Sequence, residues 1–168
     1  MDIMELGAVG ELVGGVAVIA SLVFVGLQVR QGNGLAKGAA ELEVGRMNMD
    51  YYRLGAERDF AAIWYTGFYT PDAFPELDRA RWIWAQRMWL HSVHAMYRLF
   101  QRGVLPEASW KPLLTTLATM LEESTIMVEM WERNPMFLAD DFRTYVDSER
   151  PHLARAGFMD SMRLSSDQ

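Results

Sequence analysis

An uncharged apolar run of 18 residues, Leu12 to Val29, constrains this chain more than any other feature. It reads LVGGVAVIASLVFVGLQV, and Arg30 follows it at once. At 1.5 Å of rise per residue it spans about 27 Å as a helix, close to the hydrocarbon thickness of a bilayer. No other segment reaches this length without a charge. A helix that is apolar all round needs a core on every side or lipid, and 168 residues leave room for only one compact domain beside it. A cleaved secretory signal is the rival reading. Such signals open on positive charge and close on a small-x-small site, whereas here the start is the acidic MDIMELG and the exit is GLQVRQGN. The run therefore reads as a retained single-pass membrane anchor, ahead of a buried soluble helix or a signal.

Charge orients the anchor. All 16 Lys and Arg lie at or beyond Arg30, with Lys37, Arg46 and Arg53 following, and no base precedes the run. Positive charge is retained on the cytoplasmic side, which predicts an inner (cytoplasmic) membrane protein with its N-terminus outside and its C-terminal domain in the cytoplasm. Beyond the run 16 bases face 19 acids, a balance of −3, so the field that nucleic-acid binding requires is missing and no nucleic-acid partner is expected. A hydrophobic content of 51 % excludes a disordered chain. The absence of cysteine excludes disulfides, thiolate nucleophiles and zinc–cysteine sites.

The anchor carries a second pattern. Gly7, Gly10, Gly14, Ala17 and Ser21 recur at alternating spacings of three and four, which places them on one helix stripe. Lipid offers no hydrophobic drive for helix association, so close backbone approach along a small-residue seam commonly replaces it. The expected partners are membrane lipid together with a second copy of the chain or the transmembrane helices of a larger complex. Glu11 lies one position from this seam. It reads either as a headgroup-depth carboxylate or as a hydrogen-bonding group between helices.

The remainder reads as helices. Gln31-Gly32-Asn33-Gly34 marks a hinge or a weak spot, after which Ala36, Ala40, Val44 and Met47 restore helical spacing. Asp59 is placed as the cap of a short aromatic helix that stops at Gly67, and Thr70-Pro71 as a further cap. Glu76 to Arg102 is the longest helix after the anchor. Trp82, Ala85, Trp89, Val93, Met96 and Phe100 mark one apolar stripe, and Trp84, Met88, Ala95 and Leu99 a second beside it. Gly103 supplies a left-handed cap. Shorter helices are expected over 106–120, with Pro112 as kink or start, over 124–133, and after an Asn134-Pro135 cap, where Phe137, Leu138, Phe142, Tyr145 and Val146 face inward. Pro151 closes the last, and the tail from Ser161 reads as disordered. The expected fold class is all-α: one N-terminal transmembrane helix followed by a helical bundle of about five to six helices. Its segments are an anchor (1–31), a connecting helix (32–58), a cytoplasmic helical domain (59–150) and a tail (151–168).

The string LGAVGELVGGVAVIASLVFVGLQVRQ resembles the opening of a large family of uncharacterised bacterial membrane-anchored helical proteins, a domain of unknown function. That family shares a Glu within a small-residue-rich span and a Q-x-R-Q exit, here Gln28 to Gln31. The likeness continues through a long aromatic helix ending at Phe100-Gln101-Arg102-Gly103, then Trp110, Trp131-Glu132-Arg133 and Phe142, and covers residues 5 to 147. The chain departs from it in the glycines of QGNG, where the relatives continue with helix formers. The resemblance implies a membrane-anchored helical protein and brings no catalytic residue with it.

Chemistry-bearing groupings are few. His91-x-x-His94 is the nearest approach to a metal pair, but Arg87 and Arg98 bracket it on the same stripe and repel a cation, so no metal is expected. The stripe Arg87, His91, His94, Arg98 and Arg102 is better suited to an anion, such as a lipid headgroup or a phosphorylated metabolite, or to a solvated face. Trp64, Tyr65, Phe68, Tyr69 and Phe74 form a dense aromatic segment that could meet a partner or a membrane surface. No nucleophile elbow or phosphate loop is present, so no catalytic residue and no cofactor are expected. The function expected is that of a non-enzymatic oligomeric scaffold or accessory subunit of a membrane complex. A membrane-anchored small-molecule or lipid-headgroup sensor is the alternative.

Overall fold

The computed structural model describes residues 3–133 and 138–153, and among these every regular element is helical. The helices are α1 (Ile3–Ala56), α2 (Arg58–Tyr69), α3 (Glu76–Gln101), α4 (Glu107–Glu123), α5 (Thr125–Arg133) and α6 (Asp140–Glu149). Short 3-10 turns lie at Pro71–Ala73 and Arg150–His152. The all-α expectation holds. The Asn134-Pro135 cap, Phe137 and the tail from Ser161 lie outside the described residues.

The chain divides into two units, Met1–Ala39 and Ala40–Gln168. In the first, every side chain from Gly10 to Ala39 is exposed. Helix α1 runs without interruption through Gly32 and Gly34. Each glycine weakens a helix by roughly 0.5–1 kcal/mol, which is not enough to break so long an element.

The second unit begins at Ala40, within the segment that the sequence assigns to a connector. Ala40, Val44, Met47, Tyr51 and Leu54 alternate by four and three and form one stripe of α1. Ala40, Val44 and Tyr51 are buried, with Met47 and Leu54 packed against the same core. The Tyr51 ring meets Trp64 of α2 at 4.6 Å and stacks on Trp89 of α3 at 5.5 Å. The end of α1 is thus a bundle helix, because its apolar stripe has aromatic partners on two neighbours.

Helix α2 differs from its expectation at both ends. Glu57 occupies the N-cap without a capping bond, Asp59 falls inside the first turn, and the helix continues through Gly67 to Tyr69. Thr70 likewise makes no side-chain capping bond ahead of Pro71. Gly67 is a packing residue rather than a stop signal. A Cβ built there overlaps the Trp82 indole of α3, lying 2.6 Å from Cε2. Phe68, beside it, meets the same indole edge-on at 5.3 Å.

On α3 the first apolar stripe is inward: Trp82, Ala85, Trp89, Val93 and Met96 are buried and Phe100 partly so. The second is not. Trp84 is 62 % and Met88 68 % exposed, Ala95 is exposed, and only Leu99 is partly buried. Helix geometry gives the reason. At about 100° per residue, Ala85, Met96, Trp89, Trp82, Val93, Gln86, Tyr97 and Leu90 fill one arc about 140° wide. Trp84, Ala95 and Met88 lie about 60–100° beyond that arc. Burial extends to the flank carrying Gln86, Leu90 and Tyr97 instead. Gly103 ends the helix as expected, with φ +68°. Val104 N–H donates to the Leu99 carbonyl at 3.0 Å and Gly103 N–H to that of Phe100 at 2.9 Å, a Schellman cap.

Helices α4 to α6 complete the core. Trp110, Leu113, Leu114, Leu117 and Leu121 line the inner face of α4, and Pro112 sits inside the helix rather than at its start. Ser124 caps α5 by accepting the Met127 N–H at 3.3 Å. Phe142 and Val146 of α6 are fully buried, with Leu138 ahead of them.

Two glycine substitutions separate packing from propensity. Gly67→Ala is expected to lose about 2–3 kcal/mol, because Trp82 is held on all sides and must shift. Gly55→Ala, whose Cβ would meet Trp64 at an ordinary 3.5 Å, should be neutral or gain up to about 1 kcal/mol. Urea unfolding followed by far-UV circular dichroism reads both. Equal midpoints for the two variants would show that Gly67 is not under steric load.

Candidate functional site

Three features of the described residues could carry function: the exposed apolar helix, the polar groups of α3 and two clefts in the bundle. Within α1, each large apolar side chain from Leu12 to Val29 is 52–70 % exposed. Gly7, Gly10, Glu11, Gly14, Ala17 and Ser21 are exposed as well, and a Cβ on any of these glycines would meet nothing within 4 Å. The Ser21 hydroxyl donates to the Ala17 carbonyl at 2.8 Å, so this face has its one side-chain donor satisfied within the helix. The helix is long and apolar enough to cross a membrane.

The cationic stripe of α3 is divided by its neighbours. Arg98 donates to both carboxylate oxygens of Asp141 on α6, at 2.9 and 3.3 Å, a bidentate pair that ties α3 to α6. His94 is half-buried and stacks on Phe142 at 4.9 Å, with its Nε2 enclosed and without a hydrogen-bond partner. Burial chiefly, then the Arg98 and His91 charges, hold its imidazole below the ordinary value, and only Asp141 opposes them. His91 is exposed, and Arg102 is the exposed C-cap residue. The Arg87 guanidinium lies over the Trp84 ring at 5.3 Å. The stripe is therefore not one site, since His94 and Arg98 are committed to α6 while Arg87 lies over Trp84.

Other arginines come together where periodicity gave no sign of it. Glu129 of α5 accepts Arg79 of α3 at 2.9 Å through Oε2 and Arg133 at 2.7 Å through Oε1. These three residues and Arg87 line one pocket of about 120 Å³ with Ile83, Ile126 and Met130. Sequence spacing links Arg79 to Arg87 on α3, and Glu129 to Arg133 on α5. Only the packing of α3 on α5 joins the pairs.

A second cleft, of about 260 Å³, lies between the end of α1 and α3. Tyr51, Trp89, Ala85 and Met88 contribute its apolar surface, and Glu43 and Asp50 its acidic edge. Beneath it the Tyr51 hydroxyl donates to Gln86 Oε1 at 2.6 Å. Burial pushes this phenol far above its ordinary value, against the opposing effect of the Gln86 bond. Gln86 Nε2 is enclosed without an acceptor. The aromatic segment that could meet a partner or a membrane surface is mostly core: Phe68 is buried, Trp64, Tyr69 and Phe74 pack against the core, and of the five Tyr65 is the one well exposed. Among the described residues no group of three or more acidic or histidine side chains is arranged to hold a metal.

Two outcomes follow from these contacts. The depressed His94 means that the unfolded chain binds the proton first. Stability is fully present above the unfolded value of about 6.5 and is lost as pH falls through the lower folded value. The urea midpoint of the wild type should therefore drop between pH 7 and 5.5 by more than that of His94→Gln; parallel profiles would remove His94 as the cause. Tyr51→Phe should cost about 1–2 kcal/mol by leaving Gln86 wholly unpaired, and adding Gln86→Leu should recover most of it, read by the same unfolding assay.

No protein-family model, no curated protein and no solved structure matches the chain, so its functional reading rests on its own residues.

Proposed function

We propose that the protein is a single-pass inner-membrane protein that acts as an oligomeric scaffold or accessory subunit of a larger membrane complex. The observation that carries this reading is the exposure of every large apolar side chain of α1 between Leu12 and Val29, on a helix long and apolar enough to cross a membrane. Such a surface is stable in lipid, where the helix satisfies its own backbone hydrogen bonds. The first basic residue at Arg30 supports an N-terminus outside and the helical domain in the cytoplasm. Gly7, Gly10, Gly14, Ala17 and Ser21 give the helix one face without bulk, on which a second helix can approach closely.

Alkaline extraction of membranes should leave the wild type in the pellet. Val18→Arg/Leu22→Arg should release it, because two charges at mid-span cost about 5–7 kcal/mol of insertion. Crosslinking in native membranes should capture a second copy or a partner, and Gly14→Leu should reduce that capture severalfold. A monomer with no captured partner, unaffected by Gly14→Leu, would overturn the scaffold reading and leave only the anchor.

A further inference from the structure

We propose that the pocket between α3 and α5 is a binding site for a phosphate-class oxyanion. Arg79, Ile83 and Arg87 follow one another at spacings of four and form a single ridge of α3, and Glu129 and Arg133 present the matching edge of α5. Three guanidinium groups line this pocket against one carboxylate, Glu129, among its described lining residues. Arg79 and Arg133 share the single Glu129 carboxylate, so this pair alone leaves the wall with a surplus of positive charge, in a chain whose overall charge is −6. A concave, partly apolar surface strengthens the attraction of such a group of charges for an anion.

Glu129 has a defined part in this arrangement. It holds Arg79 and Arg133, from two different helices, at 2.9 and 2.7 Å. Each guanidinium carries five N–H donors in a fixed fork, and the bond to Glu129 engages one nitrogen of each. The carboxylate therefore fixes the forks in place and leaves further donors to face a ligand. Arg87 is positioned separately, over the Trp84 ring at 5.3 Å. The pocket volume of about 120 Å³ has room for several waters, hence for a four-oxygen anion, while anything larger attached to it must extend outward. Three arginines suit a multiply charged tetrahedral group better than a single carboxylate. A lipid phosphate and a free phosphorylated metabolite share this chemistry. The site does not depend on the membrane reading, since all its residues lie in the second unit.

The test uses the full chain in neutral detergent, titrated by calorimetry with inorganic phosphate, with acetate, and with dihexanoyl phosphatidic acid against dihexanoyl phosphatidylcholine. Phosphate or phosphatidic acid should bind saturably, and acetate and phosphatidylcholine should not. Tighter binding of phosphatidic acid identifies a lipid headgroup, and tighter binding of phosphate a soluble ligand. Arg79→Gln and Arg133→Gln should each weaken binding about tenfold, the equivalent of one charge-assisted hydrogen bond. Arg133, with 76 % of its side chain exposed, can be replaced without threatening the fold should Arg79→Gln prove unstable. Glu129→Gln keeps an oxygen acceptor for the guanidinium forks while removing the negative charge that competes with the ligand, so it should tighten binding, a gain that a purely structural ion pair would not give. The proposal fails if neither phosphate nor phosphatidic acid binds at millimolar concentration. It fails equally if acetate or phosphatidylcholine binds as well as its counterpart, or if Arg133→Gln binds as the wild type does.

Discussion

The seating of the Trp82 indole on the backbone of α2 at Gly67 sets the geometry on which the rest of the bundle depends. A side chain at 67 is excluded, so α2 and α3 approach more closely there than two side-chain-bearing helices could. Phe68 and Phe74 then meet the indole edge-on, at 5.3 and 6.4 Å. From Phe68 the aromatic contacts pass through Trp64 to Tyr51 and on to Trp89, joining α2 to α1 and returning to α3. Tilted and edge-to-face pairs of this kind add about 0.5–1.5 kcal/mol each beyond the area they bury. Trp82 achieves this with its own N–H unpaired, at a cost of about 1–3 kcal/mol. The surrounding ring contacts offset that cost only while the helices stay close, so Gly67 and Trp82 act as one unit.

The other end of α3 is held differently. There Tyr97, Phe142 and Trp110 form a second aromatic group, and its indoles find partners: Trp110 donates to the Tyr145 hydroxyl at 3.1 Å and Trp131 to Asp147 at 3.0 Å. The exposed Arg98–Asp141 pair contributes little energy by itself, but it joins α3 to α6, the same two helices that the His94–Phe142 stack joins. Its guanidinium adds to the burial that already disfavours the charged form of the His94 imidazole. Positive charge on α3 is thus distributed by partner. Arg98 braces the fold, whereas Arg79 and Arg87 stand at the pocket shared with α5.

Much of this architecture was legible in the sequence, and what was not has a common cause. The all-α class, the run of α3 to its left-handed Gly103, the inward leucines of α4 and the inward Phe142 and Val146 all follow from spacing and cap chemistry within one helix. Gly67 was misread as a terminator because a glycine that admits a neighbouring ring looks the same in sequence as one that ends a helix. Trp84 and Met88 stand outside the core, and apolarity alone does not say on which side a stripe widens. Burial goes instead to the side of Gln86, whose Oε1 accepts the Tyr51 hydroxyl, and of Tyr97, which packs on Trp110 and Phe142. The candidate sites divide in the same way. The small-residue face of α1 is periodic and was visible at once. The grouping of Arg79 with Arg133, across 54 positions of chain, exists only through the docking of α3 on α5.

The apolar half of α1 poses the opposite problem, since none of its large side chains from Leu12 to Val29 is buried among the described residues. Eleven large apolar side chains between Leu12 and Val29 stand more than half exposed. Burial of such a side chain contributes about 1.5–3 kcal/mol, so leaving all of them in water forgoes on the order of 20 kcal/mol. That exceeds the roughly 5–15 kcal/mol by which a whole domain is ordinarily stable. Docking one side of the helix onto a soluble protein would recover only part of it, because the exposed residues point in every direction around the axis. Lipid covers all sides at once. The seam of Gly10, Gly14, Ala17 and Ser21 contributes the least apolar area of the helix, so it is also the side on which exchanging lipid for another helix gives up least. In the proposed scaffold, anchoring and association would therefore draw on different faces of one helix and would not compete.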